Sequence, residues 1–344
     1  MPPPLLATVL SLLALTRGAL SHSHLAHVII NGQLYHGFDP RPNQNNHPAR
    51  VGWSTTATDD GFVTPGNYSH PDIICHRGGV SPRAHAPVTA GGKVQVQWNG
   101  WPIGHVGPIL TYIAPCGGLP GAEEGCTGVD KTDLRWTKID DSMPPFRFTD
   151  ATKPVSGRAQ FPIGQVWATD ALVEANNSWS VVIPRNIPPG PYVLRQEIVA
   201  LHYAAKLNGA QNYPLCLNLW VEKGQQDQGE PFKFDAYDAR EFYSEDHPGV
   251  LIDVMTMVGP RAVYRIPGPT VASGATRIPH SLQTSAETWV EGTPVAVTRA
   301  TETVQMEITT TPAGQGAGVR TATPAMPTPT VTKRWKGRFE MGRP

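Results

Sequence analysis

The sequence predicts an all-β protein, an antiparallel β-sandwich with long loops over residues 22–271, followed by a disordered tail. Short apolar stretches alternate there with clusters of Gly, Pro and Asn, the residues that turns favour. No part of this region shows the apolar period of 3.6 residues that marks a long helix. Short strands separated by frequent turns are typical of a sandwich.

Three segments give the clearest strands. In Lys93–Trp98, apolar Val94, Val96 and Trp98 alternate with polar residues, so we expect one buried face. Residues 213–221 alternate in the same way, with leucines on one face. Residues 192–202 are apolar on both faces, which indicates a central strand.

The chain begins with a predicted signal peptide, residues 1–21. Residues 5–15 form an apolar run of the right length, and Ala19 and Ser21 are the small residues that a signal peptidase requires. Cleavage after Ser21 makes His22 the first residue of a secreted protein. A terminal histidine can bind a metal through its α-amino nitrogen and its ring together. The alternative is that His22, His24 and His27 are ordinary polar residues of an exposed first strand.

The tail, residues 272–344, is rich in Thr, Ala, Pro and Gly and contains too few large apolar residues for a core. Its end, residues 333–339, interleaves basic and aromatic residues, which suits either a solvated end or contact with an anionic surface. The whole chain has 28 basic and 28 acidic residues, so its charge favours neither nucleic acid nor an anionic membrane as partner. No apolar run after residue 21 is long enough to span a bilayer.

Four cysteines fit two disulfides in an oxidising compartment, and the sequence alone permits three pairings. A zinc site is the less favoured alternative, because no CxxC pair occurs. Asn67 and Asn176 begin acceptor sequons for N-glycosylation, which occur in secreted proteins and also by chance.

Two segments carry candidate functional residues. His105 follows a predicted strand within a turn-rich stretch, so it is expected on a loop. A second strand ends at His202, a short Asn-Gly turn follows, and Gln211 and Tyr213 enter the next strand. His202, Gln211 and Tyr213 should therefore meet at one end of a sheet. The alternative for Tyr213 is an ordinary core residue, since it shares the parity of the neighbouring leucines.

Seven motifs, in order, give the chain a close resemblance to the fungal cellulose-active lytic polysaccharide monooxygenases of auxiliary activity family nine. They are HSHLAHVIING (22–32), WSTTATD (53–59), DIICH (72–76), HVGP (105–108), IVALH (198–202), GAQNYPLC (209–216) and IPGP (266–269).

The resemblance implies an immunoglobulin-like or fibronectin-like sandwich with one copper ion. The ligands would be the amino and ring nitrogens of His22 and the ring of His105, with Tyr213 as a distant axial group. This nitrogen donor set suits copper. His202 and Gln211 would form hydrogen bonds to the oxygen species rather than to the metal.

The family's disulfides would correspond to Cys75–Cys216 and Cys116–Cys126. Many members place tyrosines on the flat face around the copper, where this chain has Asn45 and Met255. Stacking on a glucan is then either weaker or carried by other aromatics such as Tyr35, Phe38 or Tyr243, for which loop packing is the alternative role.

The function implied is oxidative cleavage of β-1,4-glucan, with cellulose as the expected substrate, at C1 or C4. An external electron donor and dioxygen or hydrogen peroxide would be consumed, and the enzyme is expected to be a secreted monomer. The competing hypothesis is a non-catalytic secreted protein that binds copper or a glycan on the same sandwich.

Overall fold

A computed structural model describes residues 23–117, 124–141, 146–148, 165–224, 229–257, 263–286 and 288–296 of the chain. These ranges contain thirteen strands and two short α-helices. In chain order they are β1 (Leu25–Ile30), β2 (Gln33–His36), α1 (Asp72–Cys75), β3 (Ala84–Thr89), β4 (Lys93–Trp98), β5 (Ile109–Pro115), β6 (Thr137–Asp140), β7 (Phe146–Phe148), β8 (Gln165–Trp167), α2 (Ala168–Glu174), β9 (Ser178–Val182), β10 (Gly190–Ala200), β11 (Gln211–Glu222), β12 (Val290–Glu291) and β13 (Val295–Ala296).

The strands form two main sheets that share a core. One sheet has the order β12-β2-β1-β4-β9, the other has the order β13-β3-β11-β10-β5-β6, and β7 pairs with β8. The pairs β11–β3 and β12–β2 are parallel, whereas the other named pairs are antiparallel. Val96 of one sheet and Leu217 of the other belong to the same buried apolar cluster. The predicted β-sandwich is therefore confirmed.

The three predicted strands are present. Lys93–Trp98 is β4, residues 213–221 lie within β11, and β10 covers most of residues 192–202. All eleven residues of β10 are buried, and the strand lies between β11 and β5. Its side chains alternate between the core shared by the sheets, which includes Leu194, and a second apolar cluster under the loops, which includes Val193. Coverage on both faces explains why the strand is mostly apolar, with Arg195, Gln196 and Glu197 as buried exceptions.

Both disulfides are present, and the four cysteines contain no free thiol. Cys75–Cys216 links α1 to β11, and Cys116–Cys126 closes a short loop after β5. This is the pairing that the resemblance implies. It removes the alternative of a cysteine zinc site.

Part of the predicted disordered tail packs on the sandwich. Residues 272–296 cover exposed sheet edges: β12 pairs with β2 and β13 pairs with β3. On a third edge, Ser180 N donates to Gln283 Oε1 at 2.8 Å, and Gln283 Nε2 donates to Ser180 O at 3.2 Å. Unpaired edges of a sheet favour such coverage. The predicted boundary between sandwich and disordered tail at residue 271 was wrong for residues 272–296. Composition indicates whether a segment can form a core, but it does not reveal backbone pairing. The rest of the predicted tail, residues 297–344, lies outside the described residues.

A charged pair is buried between β10 and α1. Arg195 and Glu197 have no exposed surface, and Arg195 donates to Glu197 Oε2 at 2.8 Å. Arg195 also donates to the carbonyls of Ile73 and Ile74, at 2.8 and 2.7 Å. The Glu197 carboxylate accepts further hydrogen bonds from Asn212 Nδ2 at 2.7 Å and the Tyr243 hydroxyl at 2.5 Å. This network lies beneath the start of β11, where Gln211 and Tyr213 are located.

Candidate metal centre

Five strand ends meet at one end of the sandwich. The first residue of β1 pairs with the last residue of β4, Leu25 with Trp98. In the other sheet the end of β10 pairs with the start of β11, and the start of β5 lies beside β10. His105 precedes β5, His202 follows β10, and Gln211 begins β11. The fold therefore brings the predicted site residues from these loops to the same end, as the sequence predicts.

Backbone contacts fix the loop that carries His105. Leu201 N donates to Val106 O at 2.8 Å, which holds the segment after β10 against the loop. Trp101 Nε1 donates to the carbonyl of His105 at 2.9 Å. A Cβ atom at Gly107 would lie 1.8 Å from Val199 O, so only glycine permits this close approach. These contacts place His105 beside His202.

The rings of His105 and His202 are in direct contact, with centroids 3.9 Å apart. Burial, with the neighbouring His105 as a smaller cause, lowers the pKa of His202 to about 4. His202 Nδ1 is buried without a hydrogen-bond partner among the described residues. An orphaned buried nitrogen in a loop cluster is typical of a site that a ligand or water completes.

Gln211 and Tyr213 lie on the strand that follows. The Tyr213 hydroxyl donates to Gln211 Oε1 at 3.1 Å, and Gln211 is 8% exposed. The ring of Tyr213 is fully buried, and burial raises its pKa above the ordinary value. Trp101 joins this group to the His105 loop through edge contacts, at 5.1 Å to the Tyr213 ring and 6.2 Å to the His105 ring. The ring of Tyr213 is thus part of the core, which was the alternative considered for this residue, while its hydroxyl is hydrogen-bonded to Gln211.

The first described residues are anchored at this end. Ser23 Oγ and His24 N both donate to Asn99 Oδ1, at 2.7 and 2.9 Å, and Asn99 N donates to His24 O at 3.1 Å. The His24 ring is buried and lies 2.9 Å from an oxygen of Asp60. Asn99 lies two residues before Trp101, so residues 23–24 and the His105 loop are at the same end. His22, the predicted mature first residue, lies outside the described residues.

Comparison with known proteins agrees with this architecture. Residues 22–264 match the sequence profile of AA9, Auxiliary Activity family 9 (formerly GH61). The chain belongs to this family. An AA9 family lytic polysaccharide monooxygenase A of Talaromyces verruculosus is 40% identical over 279 residues, covering 80% of this chain and 76% of that protein. The corresponding protein of Thermoascus aurantiacus is 41% identical over 255 residues, covering 74% of this chain and 100% of that protein.

A solved structure, the extended catalytic domain of Hypocrea jecorina LPMO9A, superposes with a TM-score of 0.60 at 38% identity. It covers 78% of this chain and 100% of the solved chain. The present chain is thus an oxidoreductase of the lytic polysaccharide monooxygenase class, and the family supports oxidative cleavage of polysaccharides. Among the described residues, no helix has the length and apolar character needed to cross a membrane.

The exposed side chains of this AA9 chain differ from those expected. Tyr35 and Tyr243 are only 2% and 8% exposed, so the expectation that either stacks on a glucan is wrong. The Tyr35 hydroxyl instead bonds Gln33, and that of Tyr243 bonds Glu197. Phe38 is half-buried, with the Arg50 guanidinium 5.2 Å above its ring.

Asn45 and Met255 are exposed, as residues on a binding face would be.

A further aromatic residue near the site was not identified from the sequence. Tyr203 is 65% exposed, and its ring centroid is 4.4 Å from that of His202. Its position directly after a candidate site histidine is the signal that could have identified it.

The two predicted sequons lie on the surface. Asn67 and Asn176 are both exposed; Asn67 ends a short 3-10 helix, Pro65–Asn67, and Asn176 lies in the turn before β9. Asn67 Nδ2 donates to Thr64 Oγ1 at 3.0 Å. Glycosylation at these asparagines stays a prediction.

Proposed function

We propose that this family member is a secreted, copper-dependent monooxygenase that cleaves β-1,4-glucan, with cellulose as its substrate, at C1 and/or C4. The observation that carries the proposal is the direct contact of the His105 and His202 rings at the end where Gln211 and Tyr213 begin β11. These residues come from three loops and strand ends, and no core packing requires two partly exposed histidines there.

One copper ion per chain would be held by His105 and by the amino and ring nitrogens of His22. Imidazole and amine nitrogens form a donor set that copper favours over other divalent first-row metals. His202 Nδ1 is buried and has no hydrogen-bond partner among the described residues, so a polar ligand bound at this site could satisfy it. A bound copper would supply one-electron redox chemistry toward dioxygen or hydrogen peroxide, with electrons from an external donor.

The chain's own residues would orient the reacting groups. His202 would hydrogen-bond the oxygen species, because its ring touches that of His105. Gln211 would do the same through its amide N–H groups, since its Oε1 accepts the Tyr213 hydroxyl. Tyr213 would contribute its hydroxyl near the metal, held in place by its buried ring. Donors that are positioned in advance lower the barrier of a reaction without needing to bind the metal.

Tyr203 would provide a stacking surface for a sugar ring. Its ring is exposed, and it lies against His202, which touches His105. An aromatic face gives a large apolar contact at little cost in conformational entropy. In Tyr203→Ala we expect several-fold weaker binding to cellulose with unchanged copper affinity, whereas equal cellulose binding would remove Tyr203 from the surface that holds the glucan.

The proposal is tested by separating metal binding from turnover. His105→Ala should lose copper affinity in calorimetry and change the paramagnetic resonance spectrum. His202→Ala should keep near-native copper affinity while the rate of release of oxidised sugars falls by about 10-fold to 1000-fold. His70→Ala serves as the matched control, because His70 is 58% exposed and pairs with Asp72 away from these residues.

Unchanged copper affinity in His105→Ala would contradict the ligand assignment. Unchanged turnover in His202→Ala would contradict its role toward the oxygen species. A wild-type protein that binds copper and cellulose but oxidises neither cellulose nor a related glucan would instead be the non-catalytic binding protein.

A further inference from the structure

Three ligand-type side chains converge on the first sheet, around strand β2, which lies between β1 and β12. His36 ends β2, His47 lies in the connection that follows it, and Glu291 belongs to β12. One ligand atom from each lies within 4.8 Å of the others. We propose that this cluster, His36–His47–Glu291, binds a divalent transition-metal ion of the zinc type and thereby fastens the C-terminal segment to the sandwich.

The ligand atoms of the three side chains are spaced much as the ligands of a zinc ion are. His36 Nε2 lies 2.8 Å from Glu291 Oε1, and the rings of His36 and His47 stack with centroids 4.3 Å apart. Zinc binds imidazole nitrogen and carboxylate oxygen at about 2.0–2.2 Å, so its tetrahedral ligand atoms are separated by about 3.4 Å. Small side-chain rotations at the surface bring the three atoms to that spacing. Two nitrogens and one oxygen also leave a fourth position for water.

Backbone pairing delivers Glu291 to the two histidines. Val290 N donates to Gly32 O at 3.0 Å, and Gly292 N donates to Leu34 O at 2.9 Å. These bonds hold β12 along β2 on either side of Glu291. The carboxylate is therefore supplied by residues beyond the region that matches the family profile, which ends at 264.

The charges around Glu291 favour a cation. Within the described residues its ion-pair partner is His36, and no lysine or arginine nitrogen lies within 4.0 Å of its carboxylate. The side chains of His36 and Glu291 are 36% and 55% exposed, so an ion can reach them from solvent. The other described contact of the His47 ring is a long hydrogen bond from Ala49 N, 3.2 Å, whose loss on metal binding costs little.

A second group of potential ligands shows the contrast. His24, Asp39 and Asp60 also converge, but Arg41 bonds the Asp39 carboxylate and lies 3.8 Å from Asp60. A guanidinium that pairs with both carboxylates offsets one of their two negative charges and so weakens their attraction for a metal ion. That group is a partly buried ion-pair network with its own cation, whereas His36–His47–Glu291 has no lysine or arginine among its described partners.

Zinc titration of the metal-stripped full-length mature protein, followed by calorimetry, tests the proposal. His36→Ala and Glu291→Gln should each lower the affinity for one zinc ion per chain by at least about tenfold, equal to 1.4 kcal/mol. His105→Ala should leave the affinity for that zinc ion unchanged, which separates this cluster from the proposed copper site. His70→Ala is the matched control, since it removes another exposed histidine that pairs with a carboxylate.

A second readout tests the fastening role. Zinc should slow hydrogen exchange of the amides of Val290 and Gly292 in the wild-type protein and not in Glu291→Gln. Both variants alter exposed side chains, and unchanged circular dichroism will verify that they are folded. The proposal is overturned if the zinc isotherm is the same in His36→Ala, Glu291→Gln and the wild-type protein, or if zinc leaves the exchange of these two amides unchanged.

Discussion

Replacing Arg195 by methionine should destabilise the protein more than any change to a surface ion pair. The substitution keeps most of the apolar stem but removes the charge that pairs with fully buried Glu197. Breaking one side of a buried ion pair costs about 3–5 kcal/mol, because the remaining charge stays desolvated. The carbonyls of Ile73 and Ile74 also lose their donors. Since domains of this kind are stable by about 5–15 kcal/mol, the loss is a large fraction of the total.

Urea unfolding followed by fluorescence gives the free energy directly. In the double variant Arg195→Met/Glu197→Leu the uncompensated charge is gone, so we expect it to be more stable than Arg195→Met alone. Arg77→Met is the control, because Arg77 pairs with Asp59 at the surface and such pairs contribute about 0–1 kcal/mol. A loss of less than about 1 kcal/mol in Arg195→Met would refute the argument from buried charge.

Three further predictions concern the loop, acid stability and the C-terminal segment. Gly107→Ala should lower both the melting temperature and the copper affinity, because its Cβ would overlap Val199 O; unchanged calorimetry would show that the loop adapts. Burial lowers the pKa of His76 to about 4, below the ordinary 6.5, so the folded state holds this ring neutral. The contribution of His76 to stability should therefore be constant above pH 6.5 and decline by up to about 3 kcal/mol as the pH falls to 4, so His76→Gln should make the acid slope shallower in urea titrations. A chain that ends at residue 271 should melt at a lower temperature than the full chain, since three sheet edges lose their cover; an equal melting temperature would show that the cover adds no stability.

Local patterns predicted the sandwich and the positions of His105 and His202, whereas the metal-binding roles came from the resemblance to the family. Alternation of apolar and polar residues defined β4, and apolar residues on both faces defined central β10. His105 and His202 were placed on loops at strand ends because turn residues surround them. The structure brings these two rings into contact because β5 pairs with β10 and the loop of His105 lies close against the end of β10 at Gly107.

Other features depend on contacts between distant residues, and local patterns do not reveal them. The covering of sheet edges by residues 272–296 uses backbone hydrogen bonds and one glutamine amide, so it leaves no apolar signature. Arg195 and Glu197 sit on a strand that is otherwise mostly apolar. Their burial is explained by their own ion pair and by hydrogen bonds to the carbonyls of α1, the Asn212 amide and the Tyr243 hydroxyl. Tyr35 and Tyr243 were assigned to a binding surface because they are aromatic, whereas packing and hydrogen bonds hold them inside.

Mass spectrometry of the products formed from cellulose is the most direct test of the proposed function. The secreted, copper-loaded protein is incubated with amorphous cellulose, a reductant and dioxygen or peroxide, after its first residue has been verified as His22. We expect soluble oligosaccharides oxidised at C1, C4 or both, which disappear when the reductant or the copper is omitted. Only unoxidised oligosaccharides, or no oligosaccharides at all from correctly processed and copper-loaded protein, would contradict the proposed function.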